Sequence, residues 1–253
     1  MAWHPEQYLK FDDARRRPAV DLLSRLDGFP ASCIVDLGCG PGNVTQLLAE
    51  RWPGARLIGI DSDAVMLARA AATAPSITWQ RADIASWQAS TPPDVIFSNA
   101  ALHWLDDHQQ LFPRLFRQLG AGGVLAVQMP ANFSAPSHRI LRELAGEPAW
   151  RELLSGVRMG SVLSPAAYRN LLMPGCRQLD LWETTYWQML AGDDAISEWM
   201  KGTTLVPYLT RLDRPAAEAF LAIYRARLKV AYPPTADGQT LFPFKRLFLV
   251  AQR

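Results

Sequence analysis

Apolar and polar positions along the chain follow two alternating rhythms. Short unbroken apolar runs read as buried strands: Cys33-Ile34-Val35 within about 32–37, Leu57 to Asp61, Ile77 to Gln80, Asp94 to Ser98 and Val124 to Gln128. Between them, apolar residues recur at helical spacing. Val44, Leu47 and Leu48 mark one helix, ending near Arg51, and Ala64 to Ala72 marks a second, built of good helix formers. Leu111, Leu115 and Leu119, flanked by Phe112 and Phe116, mark a third, in which Pro113 predicts a kink or a helix start. Ahead of them, Val20, Leu22, Leu23 and Leu26 predict a helix closed by Gly28 and Pro30. Strands alternating with helices over about 30–130 predict a mostly parallel sheet with helices on both faces.

After residue 130 the rhythm changes. Residues 131–175 read as helical with loops, Ser164-Pro165-Ala166 being a helix start, and residues 193–230 are helical again. Leu179 to Trp187 and Leu247 to Ala251 read as strands. Two late strands around a long helical insertion predict an antiparallel edge pair carrying a helical cap over the site. The expectation is one domain spanning 1–253, with a core at about 30–130 and cap insertions at about 131–175 and 193–240. Trp182, Trp187 and Trp199 are read as core.

Composition narrows the class. The chain has 253 residues and a net charge of +2, so no basic field asks for nucleic acid. Three cysteines, Cys33, Cys39 and Cys176, have no metal spacing and read as reduced thiols. No apolar stretch approaches a membrane span, and the residues after Arg15-Arg16-Arg17 are amphipathic, unlike a targeting segment. The expected location is the cytoplasm.

The chemistry concentrates at the ends of the strands, where such sheets bind ligands. Asp36-Leu37-Gly38-Cys39-Gly40-Pro41-Gly42-Asn43 lies between the first strand and its helix. A dinucleotide turn would need a glycine where Asn43 stands. The spacing here is Gly-x-Gly-x-Gly behind an acid, and a carboxylate suits a cationic amine better than a pyrophosphate. S-adenosylmethionine, with its ammonium and sulfonium, fits that sign. Asp61 closes the second strand and can accept both ribose hydroxyls. Asp83 is placed for the adenine amino group, with Ile84 beside the ring, and the fourth strand leads into Asn99-Ala100-Ala101-Leu102-His103-Trp104.

This ordered set resembles the class I S-adenosylmethionine-dependent methyltransferases: α/β, a Rossmann-like sheet, mostly parallel with one antiparallel edge strand. The flanks carry a narrower resemblance. Tyr8 to Leu23, Lys201 to Leu209 and Tyr232 to Phe244 are similar to the trans-aconitate 2-methyltransferase family. The resemblance spans nearly the whole chain. It implies a cytosolic carboxyl O-methyltransferase making a monomethyl ester of trans-aconitate, a small-molecule tricarboxylate.

An ionised carboxylate is already a nucleophile, so no catalytic base is assigned; the substrate needs positioning and cationic clamps. Asp36, Gly38, Gly40, Gly42, Asp61, Asp83, Ile84 and Asn99, with Tyr8 and Phe11 closing over, are the expected cofactor residues. His103, Trp104, Lys201, Tyr208, Arg246 and Arg15 are the expected substrate residues. Arg17 alternates with Arg15, and Lys245 points to the opposite strand face from Arg246. Two other readings stay open: a methyltransferase of this fold acting on a hydroxyl or amine, with His103 as its base, and a non-enzymatic S-adenosylmethionine-binding protein.

Overall fold

The computed structural model describes residues 12–253, with side chains from Arg16 onward. The seven-stranded sheet has the order β3-β2-β1-β4-β5-β7-β6. Its strands are β1 (Cys33–Leu37), β2 (Arg56–Asp61), β3 (Thr78–Arg81), β4 (Val95–Asn99), β5 (Val124–Pro130), β6 (Gln178–Ala191) and β7 (Gln239–Gln252). β1 pairs in parallel with β2 and β4, β2 with β3, and β4 with β5, whereas β7 pairs antiparallel with β5. The chain order reverses between β1 and β4, which makes their carboxyl ends the switch point. The antiparallel strand is the inner member of the late pair, and β6 is the outermost strand. β7 is much longer than the apolar run 247–251 predicts: its first half alternates exposed Leu241 with buried Thr240 and Phe242, and only Leu247 to Ala251 is continuously apolar.

Two compact units divide the chain. One holds residues 16–130, 161–184 and 246–253, and with them most of the sheet. Its helices are α1 (Asp12–Ser24), α2 (Asn43–Arg51), α3 (Ala64–Thr73), α4 (His108–Arg117) and α6 (Pro165–Leu172). The other holds residues 131–160 and 185–245, with α5 (Pro136–Ala145), α7 (Ala195–Lys201), α8 (Val206–Leu209) and α9 (Arg214–Ala231). β6 and β7 contribute residues to both units.

Local chemistry sets the element ends. The Asp63 carboxylate accepts from the N–H groups of Val65 and Met66 and starts α3. Ser164 caps α6, accepting from Ala167 N, with Pro165 in the first helical position. Pro113 lies inside α4, which begins five residues earlier at His108, capped by Asp107. The Asp94 carboxylate accepts from Ser32 N and Cys33 N at 2.8 and 2.9 Å, tying the entry of β1 to the entry of β4.

The second unit has its own core. Trp199, Met200, Phe220, Tyr224 and Phe242 pack there with Leu141 and Leu144 of α5. Tyr224 donates to the Ser137 carbonyl at 3.0 Å, and Ser137 N donates to the Tyr232 hydroxyl at 3.1 Å, so one α9 tyrosine and the tyrosine just past the end of α9 fasten the first turn of α5. Of the three tryptophans expected inside, Trp199 is buried and Trp182 stacks on Phe248 with ring centroids 4.7 Å apart. Trp187 is 62% exposed, because on the outermost strand alternate side chains face away from the core.

Candidate functional site

The turn after β1 is shaped by its neighbours as much as by its glycines. Gly38, Gly40 and Gly42 all have positive φ, at 75°, 53° and 87°. A Cβ at Gly38 would lie 2.1 Å from the Ala101 Cβ, and one at Gly42 would lie 2.7 Å from the Trp79 ring. At Gly40 a Cβ would meet nothing within 4 Å. Two of the glycines therefore let the turn pack, while the third presents bare backbone to open space. Its N–H donates to the Asp61 carboxylate at 2.8 Å.

Asp61 also accepts from Asp63 N at 2.9 Å on its other oxygen. Each oxygen keeps a second lone pair, so the carboxylate is held in place and can still accept a pair of hydroxyls. Asp83 accepts from Ala85 N at 2.9 Å, which turns the chain there, and Ile84 is buried behind it. Arg114 of α4 donates to the carbonyls of Ile84 and Ala85 at 2.8 and 2.9 Å, strapping this loop down.

Asp36 is 1% exposed, with its carboxylate accepting from the Thr45 hydroxyl at 2.6 Å. Burial, with a smaller push from the Asp61 charge, raises it to about 7, and the Thr45 bond only partly opposes this. With almost no surface of its own, Asp36 can reach a ligand only as a negative charge felt through the turn.

The β4 end bends sharply, Ala100 having φ 55° and its N–H donating to the Gln128 carbonyl at 2.9 Å. A short 3-10 turn, Leu102–His103–Trp104, follows. His103 is buried, its ring 4.8 Å from that of Trp104, and its carbonyl accepts from Ser161 N at 2.9 Å. Beneath the turn, His108 bridges the Leu102 carbonyl at 2.9 Å and the Tyr168 hydroxyl at 2.6 Å, and burial lowers its basicity.

Strand register brings the candidates together. Asp36 pairs with Gly59 and Phe97, Asn99 with Gln128, Gln128 with Phe248, and Pro130 with Arg246. Register partners share a face and side chains alternate along each strand. Asp36, Asp61, Asn99, Gln128 and Arg246 therefore stand on one face at the carboxyl end of the parallel strands. Arg246 is 5% exposed, a guanidinium fixed on that face.

Gln128 was not among the residues singled out from the sequence. Its side chain is fully buried and neither amide atom has a hydrogen-bond partner among the described residues. The available signal was a glutamine ending the run Val124-Leu125-Ala126-Val127, where a central strand is expected to stay apolar.

The remaining expected residues belong to the other unit or to positions outside the described residues. Lys201 ends α7 in the other unit, with its ammonium 2.6 Å from the Glu198 carboxylate. Tyr208 packs in that unit's core, its ring 6.3 Å from that of Phe220, and burial raises its hydroxyl to about 12. Lys245 belongs to that unit too. Tyr8, Phe11 and the Arg15 side chain lie outside the described residues.

A family model described as "Methyltransferase domain" matches residues 34–123. The trans-aconitate 2-methyltransferase of Azoarcus sp. (strain BH72) is 51% identical over 252 residues, covering 99% of both chains. The chain belongs to the trans-aconitate 2-methyltransferase family. The enzyme of that name from Methylobacterium nodulans is another member, 49% identical over 99% of this chain and 98% of its own. Similarity within this family thus takes in the flanks and the late strands as well as the methyltransferase core. Among solved structures, the YcgJ protein of Bacillus subtilis is similar in fold, with TM-score 0.61 and 14% identity over 94% of this chain and 98% of its own. Phosphoethanolamine N-methyltransferase 2 of Haemonchus contortus, solved with S-adenosylhomocysteine, gives TM-score 0.56 and 16% identity over 94% of this chain and 52% of its own.

The turn fits S-adenosylmethionine on its own chemistry. Gly40 offers open space beside bare backbone, Asp61 keeps acceptor capacity for a ribose, and the buried carboxyl of Asp36 is a group whose ionised form a neighbouring cation would favour.

Proposed function

We propose that the protein transfers a methyl group from S-adenosylmethionine to one carboxylate of trans-aconitate, giving a monomethyl ester and S-adenosylhomocysteine. Identity of 51% over 99% of the chain with a trans-aconitate 2-methyltransferase carries this reading, because it includes the segments outside the methyltransferase core. S-adenosylmethionine, when bound, supplies a methyl carbon made electrophilic by its positive sulfur. The Asp61 carboxylate holds the ribose hydroxyls, Asp83 and Ile84 border the adenine, and the glycine turn with buried Asp36 receives the methionine amine.

The substrate carboxylate attacks in line: the new O–CH3 bond forms as the CH3–S bond breaks, and the electron pair of that bond returns to sulfur. No proton moves, so the chain needs no general base. Its work is to hold opposite charges at reacting distance away from water, and positioning of this kind supplies roughly 7–11 kcal/mol. Arg246 is the clamp we assign to a non-reacting carboxylate, with His103 and Trp104 lining the pocket beside it. The cytoplasm is the proposed location: no helix among the described residues is long and apolar enough to cross a membrane, and the three cysteines are free thiols.

The test is direct. Incubated with methyl-labelled S-adenosylmethionine and trans-aconitate, the protein should yield a labelled methyl ester that releases volatile labelled methanol on treatment with base. Absence of transfer to trans-aconitate, with efficient transfer to an amine or phenol, would overturn the reading.

A further inference from the structure

A half-buried amide beside a sealed one points to how the reacting carboxylate is recognised. Asn99 is intermediate in exposure, and its Oδ1 lies on the sealed side without a hydrogen-bond partner among the described residues. Gln128 stands next to it in the β4–β5 register, fully buried, with Nε2 and Oε1 both lacking partners. Adjacent strands lie about 5 Å apart and register partners share a face, so a buried acceptor and a buried donor face one another across the ladder. An amide sealed from water without a hydrogen bond loses its solvation and gains nothing in return. A side-chain rotation that joins Gln128 Nε2–H to Asn99 Oδ1 removes that cost at both groups. It also settles which end of the Asn99 amide points inward, leaving the Nδ2 end for a ligand.

Resting on the function proposed above, we infer that Asn99 Nδ2 donates to the carboxylate that becomes methylated, and that Gln128 is the positioning residue holding the Asn99 amide in that orientation. A neutral donor suits this carboxylate for an electrostatic reason. Its negative charge disappears as the ester forms, so a guanidinium bound to it would stabilise the ground state more than the transition state. An amide N–H orients one oxygen and leaves the other nucleophilic. Arg246 lies diagonally across the β5–β7 ladder from Gln128, about 7–8 Å away along the same face, within reach of a long side chain. The strong charge is thus kept for a carboxylate that stays ionised throughout, and the weak donor for the one that does not. The two kinds of donor side by side decide which carboxylate meets the methyl group.

Asn99→Asp and Gln128→Met test the two halves. Both proteins are assayed for trans-aconitate methylation, for S-adenosylhomocysteine affinity by calorimetry, and for the isomer of the ester by NMR. Asn99→Asp presents oxygen where nitrogen was, and should lower kcat/KM for trans-aconitate by about 100-fold while leaving S-adenosylhomocysteine affinity within about threefold. Gln128→Met keeps the length and apolar packing but removes the donor. It should lower kcat by about 10-fold and turn a single ester isomer into a mixture.

Parallel loss of S-adenosylhomocysteine affinity in Asn99→Asp would make Asn99 a cofactor contact and overturn the assignment. An unchanged kcat/KM in that variant would overturn it as well, and this result stands even if Gln128→Met fails to fold. Gln128→Met with the wild-type isomer and kcat would overturn the positioning role. A wild-type protein that makes no ester of trans-aconitate overturns the function itself, a result distinct from wild-type transfer with unaffected variants.

Discussion

At the scale of single residues, three glycines of similar backbone geometry have different reasons to exist. Gly38→Ala forces a methyl group into Ala101 and should destabilise the fold, with loss of the cooperative melting transition or a fall of several degrees in Tm. Gly40→Ala meets no atom; it costs only about 1–2 kcal/mol for its positive φ, and its main effect should be weaker S-adenosylhomocysteine binding in a calorimetric titration. Asp36 permits a linkage prediction. Its folded-state value is raised from 3.8 to about 7, so the folded protein binds the proton more tightly than the unfolded chain does. Stability attributable to this group is complete below about pH 4 and is lost as pH rises toward 7. Relative to wild type, Asp36→Asn should therefore gain about 3–4 kcal/mol in urea unfolding between pH 4 and pH 8. A constant difference across that range would mean that Asp36 is not desolvated. The acid and the glycines were visible in the sequence, because residue type and spacing suffice for them. The sealing of Asp36 by Thr45 was not, because burial depends on what packs over a residue from elsewhere in the chain.

At the scale of elements, α4 reaches beyond its own packing. Arg114 projects from it to hold the carbonyls of Ile84 and Ala85, and thereby the loop on which Asp83 sits. Arg114→Met should raise the dissociation constant for S-adenosylhomocysteine about 10-fold and leave the KM for trans-aconitate nearly unchanged, since this loop borders only the adenine side in the proposed site. A rise in KM alone would contradict that division. The strands of the 30–130 region were legible as short runs flanked by turn residues; β1, β4 and β5 are apolar because neighbours bury both their faces, whereas the edge strand β3 is largely exposed and was marked mainly by its turns. The first half of β7 was not: residues 239–245 contain Pro243 and two aromatic residues close together, a pattern without simple alternation. The interior position of Pro113 was unresolved for a similar reason, since the Asp107 cap that starts α4 earlier is one acid among two.

At the scale of the whole molecule, the division of labour between the units frames the substrate assignment. Arg246 stands in the unit that carries the glycine turn, whereas Lys201 and Tyr208 belong to the other, one paired with Glu198 and one within its core. Arg246→Ala should raise the KM for trans-aconitate by about 10- to 100-fold and change S-adenosylhomocysteine affinity by less than about threefold. Equal losses in both would make Arg246 structural. Class and cofactor could be read from motifs confined to strand ends. Gln128 could not, because its meaning comes from the register of β5 with β4, a pairing between residues far apart in sequence.

β7 lies between β5 and β6, yet it is the last of the seven strands to be synthesised. While the chain is being made, β5 presents an open hydrogen-bonding edge for more than a hundred residues, and β6 emerges with no neighbour to dock on. Until β7 is made, both strands have a backbone edge open to mispairing with other chains. Only β7 can cover both edges, and its register with β5 sets Arg246 on the face that holds Gln128 and Asn99. The strand that carries the proposed substrate clamp is therefore the same one that closes those edges, so a change that weakens β7 docking puts both at risk together.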